Sequence, residues 1–100
     1  MTAPVAAETE TTEVRRRRLR FRAWHRGLRE ADLLVGGFAD QYLEGFTVEQ
    51  LDRFENLLHE NDPDIFDWVF ERLPPPPEHD HDVLALLKTY RFTPPSTYRA

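Results

Sequence analysis

The stretch LREADLLVGGFADQYLE, residues 28–44, decides the fold. Ala31, Leu34, Val35, Phe38 and Tyr42 recur at steps of 3, 1, 3 and 4, the period of a helix with one buried face. Gly36 and Gly37 lie inside the pattern. Each costs a helix about 1 kcal/mol relative to alanine, so the pair points to a close helix–helix approach or to a kink. Gly45 follows at the place of a C-cap.

Working outward, residues 14–26 (VRRRRLRFRAWHR) place Leu19, Ala23 and Trp24 on one helical face, and Gly27 lets the chain turn. Downstream, Thr47-Val48-Glu49-Gln50 is a capping box for a helix over about 48–60, with Leu51, Phe54, Leu57 and Leu58 inward. Asp62-Pro63 predicts a carboxylate N-cap and a proline at the first position of a helix over 63–72. Ile65, Phe66, Trp68, Val69 and Phe70 make that helix apolar on nearly all sides, which predicts deep insertion between its neighbours. Pro74–Pro77 stop it and form a rigid connector. Asp80 or Asp82 then caps a last helix over 81–91, with Val83, Leu84, Leu87 and Tyr90 buried. No segment alternates as a strand does. The prediction is all-α: a small five-helix bundle over 15–92, with a disordered N-terminal tail over 1–14 and a C-terminal tail over 93–100.

The chain of 100 residues carries a net charge of −5, but unevenly. Residues 1–30 hold eight Arg against four Glu, a balance of +4, and residues 31–100 hold five basic and fourteen acidic residues, a balance of −9. Six of those arginines, Arg15, Arg16, Arg17, Arg18, Arg20 and Arg22, crowd one short stretch. They predict a cationic patch for a specific partner rather than a general polyanion binder, because the acidic remainder repels nucleic acid. With no cysteine, disulfides and thiolate chemistry are excluded. The early acidic residues argue against a mitochondrial leader, and no apolar run is long enough to span a bilayer. The expected address is the bacterial cytoplasm.

Few residues suggest catalysis. There is no nucleophile elbow, no glycine-rich phosphate loop and no pair of histidines on one helical face. His79-Asp80-His81-Asp82 spaces its histidines at i, i+2 on a predicted loop, a poor match to a metal site and a good match to a solvated turn. His25 and His59 have no ligand partner at useful spacing. Trp24, Trp68, Phe54, Phe66 and Phe70 are read as core rather than as a flavin-stacking surface. The expectation is no enzyme, no catalytic residue and no metal.

The segment Arg26-Gly27-Leu28-Arg29-Glu30 reads R-G-x-x-E, and Asn61-Asp62-Pro63-Asp64-Ile65-Phe66-Asp67-Trp68 follows some thirty residues on. Together, over about residues 17–91, they resemble the SdhE family of succinate dehydrogenase assembly factors. The resemblance implies a five-helix bundle that binds the flavoprotein subunit of succinate dehydrogenase, and in bacteria that of fumarate reductase, and promotes covalent attachment of FAD to a histidine of that subunit. It implies partner-binding roles for Arg26, Gly27 and Glu30, and Arg26 is expected to pair with an acidic group of the partner. No FAD is expected to be held stably by this chain, which acts as a monomer forming a transient heterodimer. Many members carry Arg before the motif; His25 stands there here. The competing reading is an antitoxin-like or nucleic-acid-binding regulatory module that uses the Arg-rich first helix.

Overall fold

A computed structural model describes residues 10–90. It holds five α-helices: α1 Thr12–Trp24, α2 Arg29–Tyr42, α3 Val48–Leu58, α4 Asp62–Val69 and α5 Asp82–Thr89. Two 3-10 turns, Leu43–Gly45 and Pro77–His79, join them, and there is no strand among the described residues. The all-α bundle predicted from periodicity is the fold. Residues 1–9 of the predicted N-terminal tail, the whole predicted C-terminal tail 93–100 and residues 91–92 of the predicted bundle lie outside the described residues. Within them α1 starts earlier than expected, because Thr11 caps it: its Oγ1 accepts the Val14 N–H at 3.1 Å. Residues 12–14, expected in the tail, are therefore helical.

α1 lies along α2, the most extensive helix–helix contact among the described residues. Gly36 makes the approach possible. A Cβ built there falls 2.6 Å from Cγ and Cε2 of Trp24, so the indole occupies the space a side chain would need. Of the two readings of this glycine, close approach is the correct one. The core forms around Phe38 of α2, which is fully buried. Its ring meets Phe54 of α3 at 5.8 Å, Phe46 at 6.0 Å and, edge-on, Tyr90 at 5.9 Å. Such contacts add about 1 kcal/mol each to the burial of the rings, so one α2 residue ties three parts of the chain together.

The capping box of α3 is present as predicted: Thr47 N–H donates to Gln50 Oε1 at 2.9 Å, and Gln50 N–H donates to Thr47 Oγ1 at 3.2 Å. Four local expectations are corrected. Gly45 ends a 3-10 turn and is not left-handed; the α2 C-cap is Leu43. The N-cap of α4 is Asn61, with Asp62 at the first position and Pro63 at the second, because Asp62 is taken by another partner described below. The N-cap of α5 is neither Asp80 nor Asp82 but His81, whose Nδ1 accepts the Leu84 N–H at 3.1 Å. Asp82 instead binds Gln50 and Arg53 of α3. Finally, α4 is not buried all round. Ile65, Trp68 and Val69 face the core, whereas Phe70 is 51% exposed and Phe66 is half-buried.

Candidate functional site

The corner between α1 and α2 is built by hydrogen bonds from far along the chain. Arg26 carries it. Its side chain is only 9% exposed. Nε donates to Asp62 Oδ1 at 2.7 Å, Nη1 to the Leu58 carbonyl at 2.7 Å and Nη2 to the Glu60 carbonyl at 2.7 Å. The planar guanidinium thus closes the open C-terminal end of α3, where carbonyls lack helical partners, and pairs with the first residue of α4. Its backbone N–H donates to Asp32 Oδ1 at 2.6 Å, which fixes the turn onto the start of α2. The sequence reading gave Arg26 to a partner's acidic group. The fold turns it inward instead, and its acid is Asp62.

With Arg26 inward, the rest of the motif faces out. Gly27 has φ +97°, a conformation that L side chains rarely adopt, and nothing lies within 4 Å of a Cβ placed there. Leu28, the N-cap residue of α2, is 45% exposed. Glu30 is exposed in the first turn of α2, where the helix dipole favours a carboxylate, and it makes no hydrogen bond or ion pair among the described residues. Beside it runs a shallow groove of about 380 Å³ lined by Leu28, Glu30, Leu34, Phe66 and Phe70. Phe66 and Phe70 stack at 5.9 Å with 14° between their planes, forming one wall.

These two phenylalanines were assigned to the core from composition, and their place beside Glu30 was missed. The available signal is their i, i+4 spacing: they form a second apolar stripe, offset from the Ile65–Val69 stripe on the same short helix. Asp32 and Asp62 were missed as well, since neither spacing nor motif links them to Arg26.

The arginine-rich stretch is not an open patch. Arg15 reaches Asp52 at 2.7 Å and Glu55 at 2.9 Å. Arg18 reaches Glu10 at 2.7 Å and Glu55 at 2.8 Å. Arg20 pairs with Asp40 at 3.3 Å and Glu44 at 3.4 Å, Arg22 lies 3.9 Å from Glu55, and Arg16 donates to the Leu43 and Phe46 carbonyls. Hydrogen bonding from Arg18, against the cost of burial and with help from Arg15, holds the Glu55 carboxyl below its ordinary range. Among the described residues Arg17 alone of the six makes no such bond. The stretch is a zipper of α1 onto α2 and α3, which leaves few cations for a polyanion.

His79, expected on a solvated turn, is 2% exposed; its Nε2 lies 2.8 Å from Glu60 Oε2 and its ring lies 5.3 Å from that of Trp68. The ring is buried because the prolines fold the connector back onto α4. Glu60, Glu78 and His79 bring three ligand-type atoms within 4.8 Å of one another. The Glu60–His79 bond accounts for two of them, and Glu78 is exposed, so the cluster is a turn contact. His25 caps α1 and stacks on Phe21 at 3.9 Å, a corner histidine as expected.

A family model described as flavinator of succinate dehydrogenase matches residues 17–91. The chain belongs to this family. An FAD assembly factor from Acetobacter pasteurianus is 52% identical over 64 residues, 64% of this chain and 59% of that protein. A mitochondrial succinate dehydrogenase assembly factor 2-A from Drosophila ananassae is 40% identical over 83 residues, 81% of this chain and 53% of that protein. A mitochondrial succinate dehydrogenase assembly factor 2 from Scheffersomyces stipitis is 44% identical over 66 residues, 66% of this chain and 44% of that protein. The chain thus spans between about two-fifths and three-fifths of the length of these relatives. No helix among the described residues is long and apolar enough to cross a membrane.

Proposed function

We propose that this chain is an assembly factor that docks its α1–α2 corner on the flavoprotein subunit of succinate dehydrogenase and promotes covalent attachment of FAD there. The flavoprotein subunit of fumarate reductase is a second client of the same kind. Family membership and the names of its relatives support the reading. The single observation that carries it is the corner itself: Gly27 open at φ +97° and Glu30 unpaired at the start of α2, both outward on a corner that the inward-turned Arg26 holds in one shape.

The chemistry of the bond belongs to the flavin and histidine of the partner. This chain supplies geometry and is not an enzyme, and it holds no FAD of its own. Arg26 and Asp32 fix the corner. Gly27 leaves room for the partner surface, and Glu30 accepts a hydrogen bond or meets a cation across the interface. Ordering two reactants in this way accelerates bond formation without a catalytic side chain. The antitoxin-like or nucleic-acid reading draws no support from the zipped arginines.

The test is covalent flavin fluorescence of the flavoprotein on a denaturing gel, from cells carrying wild-type or variant chain. Gly27→Arg is expected to lower stability through strain at φ +97° while keeping the helical circular dichroism, Glu30→Ala to fold normally, and both to weaken the band severalfold. A band of full strength with both variants, or with the chain deleted, overturns the proposal.

A further inference from the structure

We infer that the groove between the start of α2 and the outer stripe of α4 is the anchor of the complex, and that its occupant is a flavoprotein segment carrying an apolar side chain next to an arginine or lysine. The inference rests on the docking reading above and adds to it a second element, α4, and a chemistry for the other side.

The groove has the composition of a binding hot spot. Phe66 and Phe70 present a flat stacked wall, with Leu28 and Leu34 opposite. Half the surface of Phe70 and nearly half that of Leu28 stand in water, although α4 has already supplied Ile65, Trp68 and Val69 to the core. Aromatic side chains with few rotatable bonds, at the centre of a small apolar depression, are the residues whose truncation costs most at interfaces. The groove is also continuous with the corner, since Leu28 and Glu30 belong to both.

Glu30 decides what can sit there. It is the one charge among the lining residues, and an apolar cover would bury it without a partner, at a cost of several kcal/mol. The occupant must therefore bring a cation beside its apolar side chain. A second copy of this chain does not fit that requirement. Self-pairing of the groove sets Glu30 against Glu30, and the cation at its wall, Arg72 over the Phe70 ring at 5.5 Å, is already paired with Asp67 at 2.8 Å.

The experiment is titration calorimetry of the full chain against purified flavoprotein subunit with FAD bound but not yet linked. Phe66→Ala and Phe70→Ala are each expected to weaken binding by about 30-fold, the scale of an interface hot spot. Val48→Ala, which truncates a side chain that is 53% exposed and lines a separate cavity, is expected to bind as wild type. Phe70 decides the matter if Phe66→Ala perturbs the helix, because its exposure leaves the core untouched. Wild-type binding by Phe70→Ala, with Gly27→Arg still defective, overturns the anchor and leaves the docking reading standing. No binding by the wild-type chain sinks both together. A concentration-dependent dimer in sedimentation, abolished by Phe70→Ala, assigns the groove to a second copy and also overturns the inference.

Discussion

Arg26 is a charge held where little water reaches, stable because Nε and both terminal nitrogens each meet an acceptor. Removing it leaves Asp62 and two helix-end carbonyls unanswered. Arg26→Ala is therefore expected to cost about 3 kcal/mol, read as a lower urea midpoint with an unchanged slope. Arg26→Lys should recover only part of this, since an ammonium cannot reproduce the planar fork. An unaltered midpoint for Arg26→Ala means the guanidinium is not closing the α3 end. The sequence could show that Arg26 belonged to a motif, and it showed that Gly27 was free to turn. It could not show which way the arginine faces. Its acid lies 36 residues away, and such a pairing exists only once the helices are assembled.

The helices differ in how openly they declare their ends. The capping box of α3 was readable because both of its bonds lie within four residues. α4 was readable as a helix but not as a surface: an all-apolar composition does not say which stripe is covered. Its end is also unusual. Glu71 adopts φ +60°, while Arg72 N–H reaches back to the Asp67 carbonyl at 2.8 Å and Glu71 N–H to that of Trp68 at 3.2 Å. This is a Schellman ending with a glutamate where glycine is usual. Glu71→Gly is expected to raise stability by about 0.5–1 kcal/mol, visible as a higher midpoint; a loss would mean that the side chain contributes more than its strain.

α5 depends on a cap that acid removes. Burial, followed by the nearness of His79, holds His81 below its ordinary value of 6.5. Its Nδ1 accepts from Leu84 only when unprotonated. As the pH falls from about 6.5 toward the lower folded value, the unfolded chain takes up the proton first, so stability declines over that window. His81→Asn keeps an acceptor that does not titrate. It should flatten the melting temperature between pH 7 and 5, and an unchanged slope would locate the acid sensitivity elsewhere.

Seen as a whole, the molecule spends its cationic end on its acidic body. The uneven charge was plain in the composition, but composition could not tell an exposed patch from an internal zipper, since that depends on where Glu55, Asp52 and Asp40 arrive. Glu55 sits at the centre and accepts from both Arg15 and Arg18. Glu55→Gln is expected to cost about 1–2 kcal/mol at neutral pH, after allowance for solvent screening. Because its folded value is depressed, that contribution is complete above the ordinary 4.5 and disappears as the pH falls through the folded value. The variant and wild type should therefore converge in stability in strong acid, and a constant gap would rule out the zipper as its source. The Arg26 clasp has a consequence for synthesis. It joins residues separated by up to 36 positions, so a chain emerging from the ribosome exposes Gly27 and Glu30 well before Asp62 exists to set their geometry. The corner becomes competent only late in translation, and a nascent or truncated product ending before α4 would display the motif's letters without its shape.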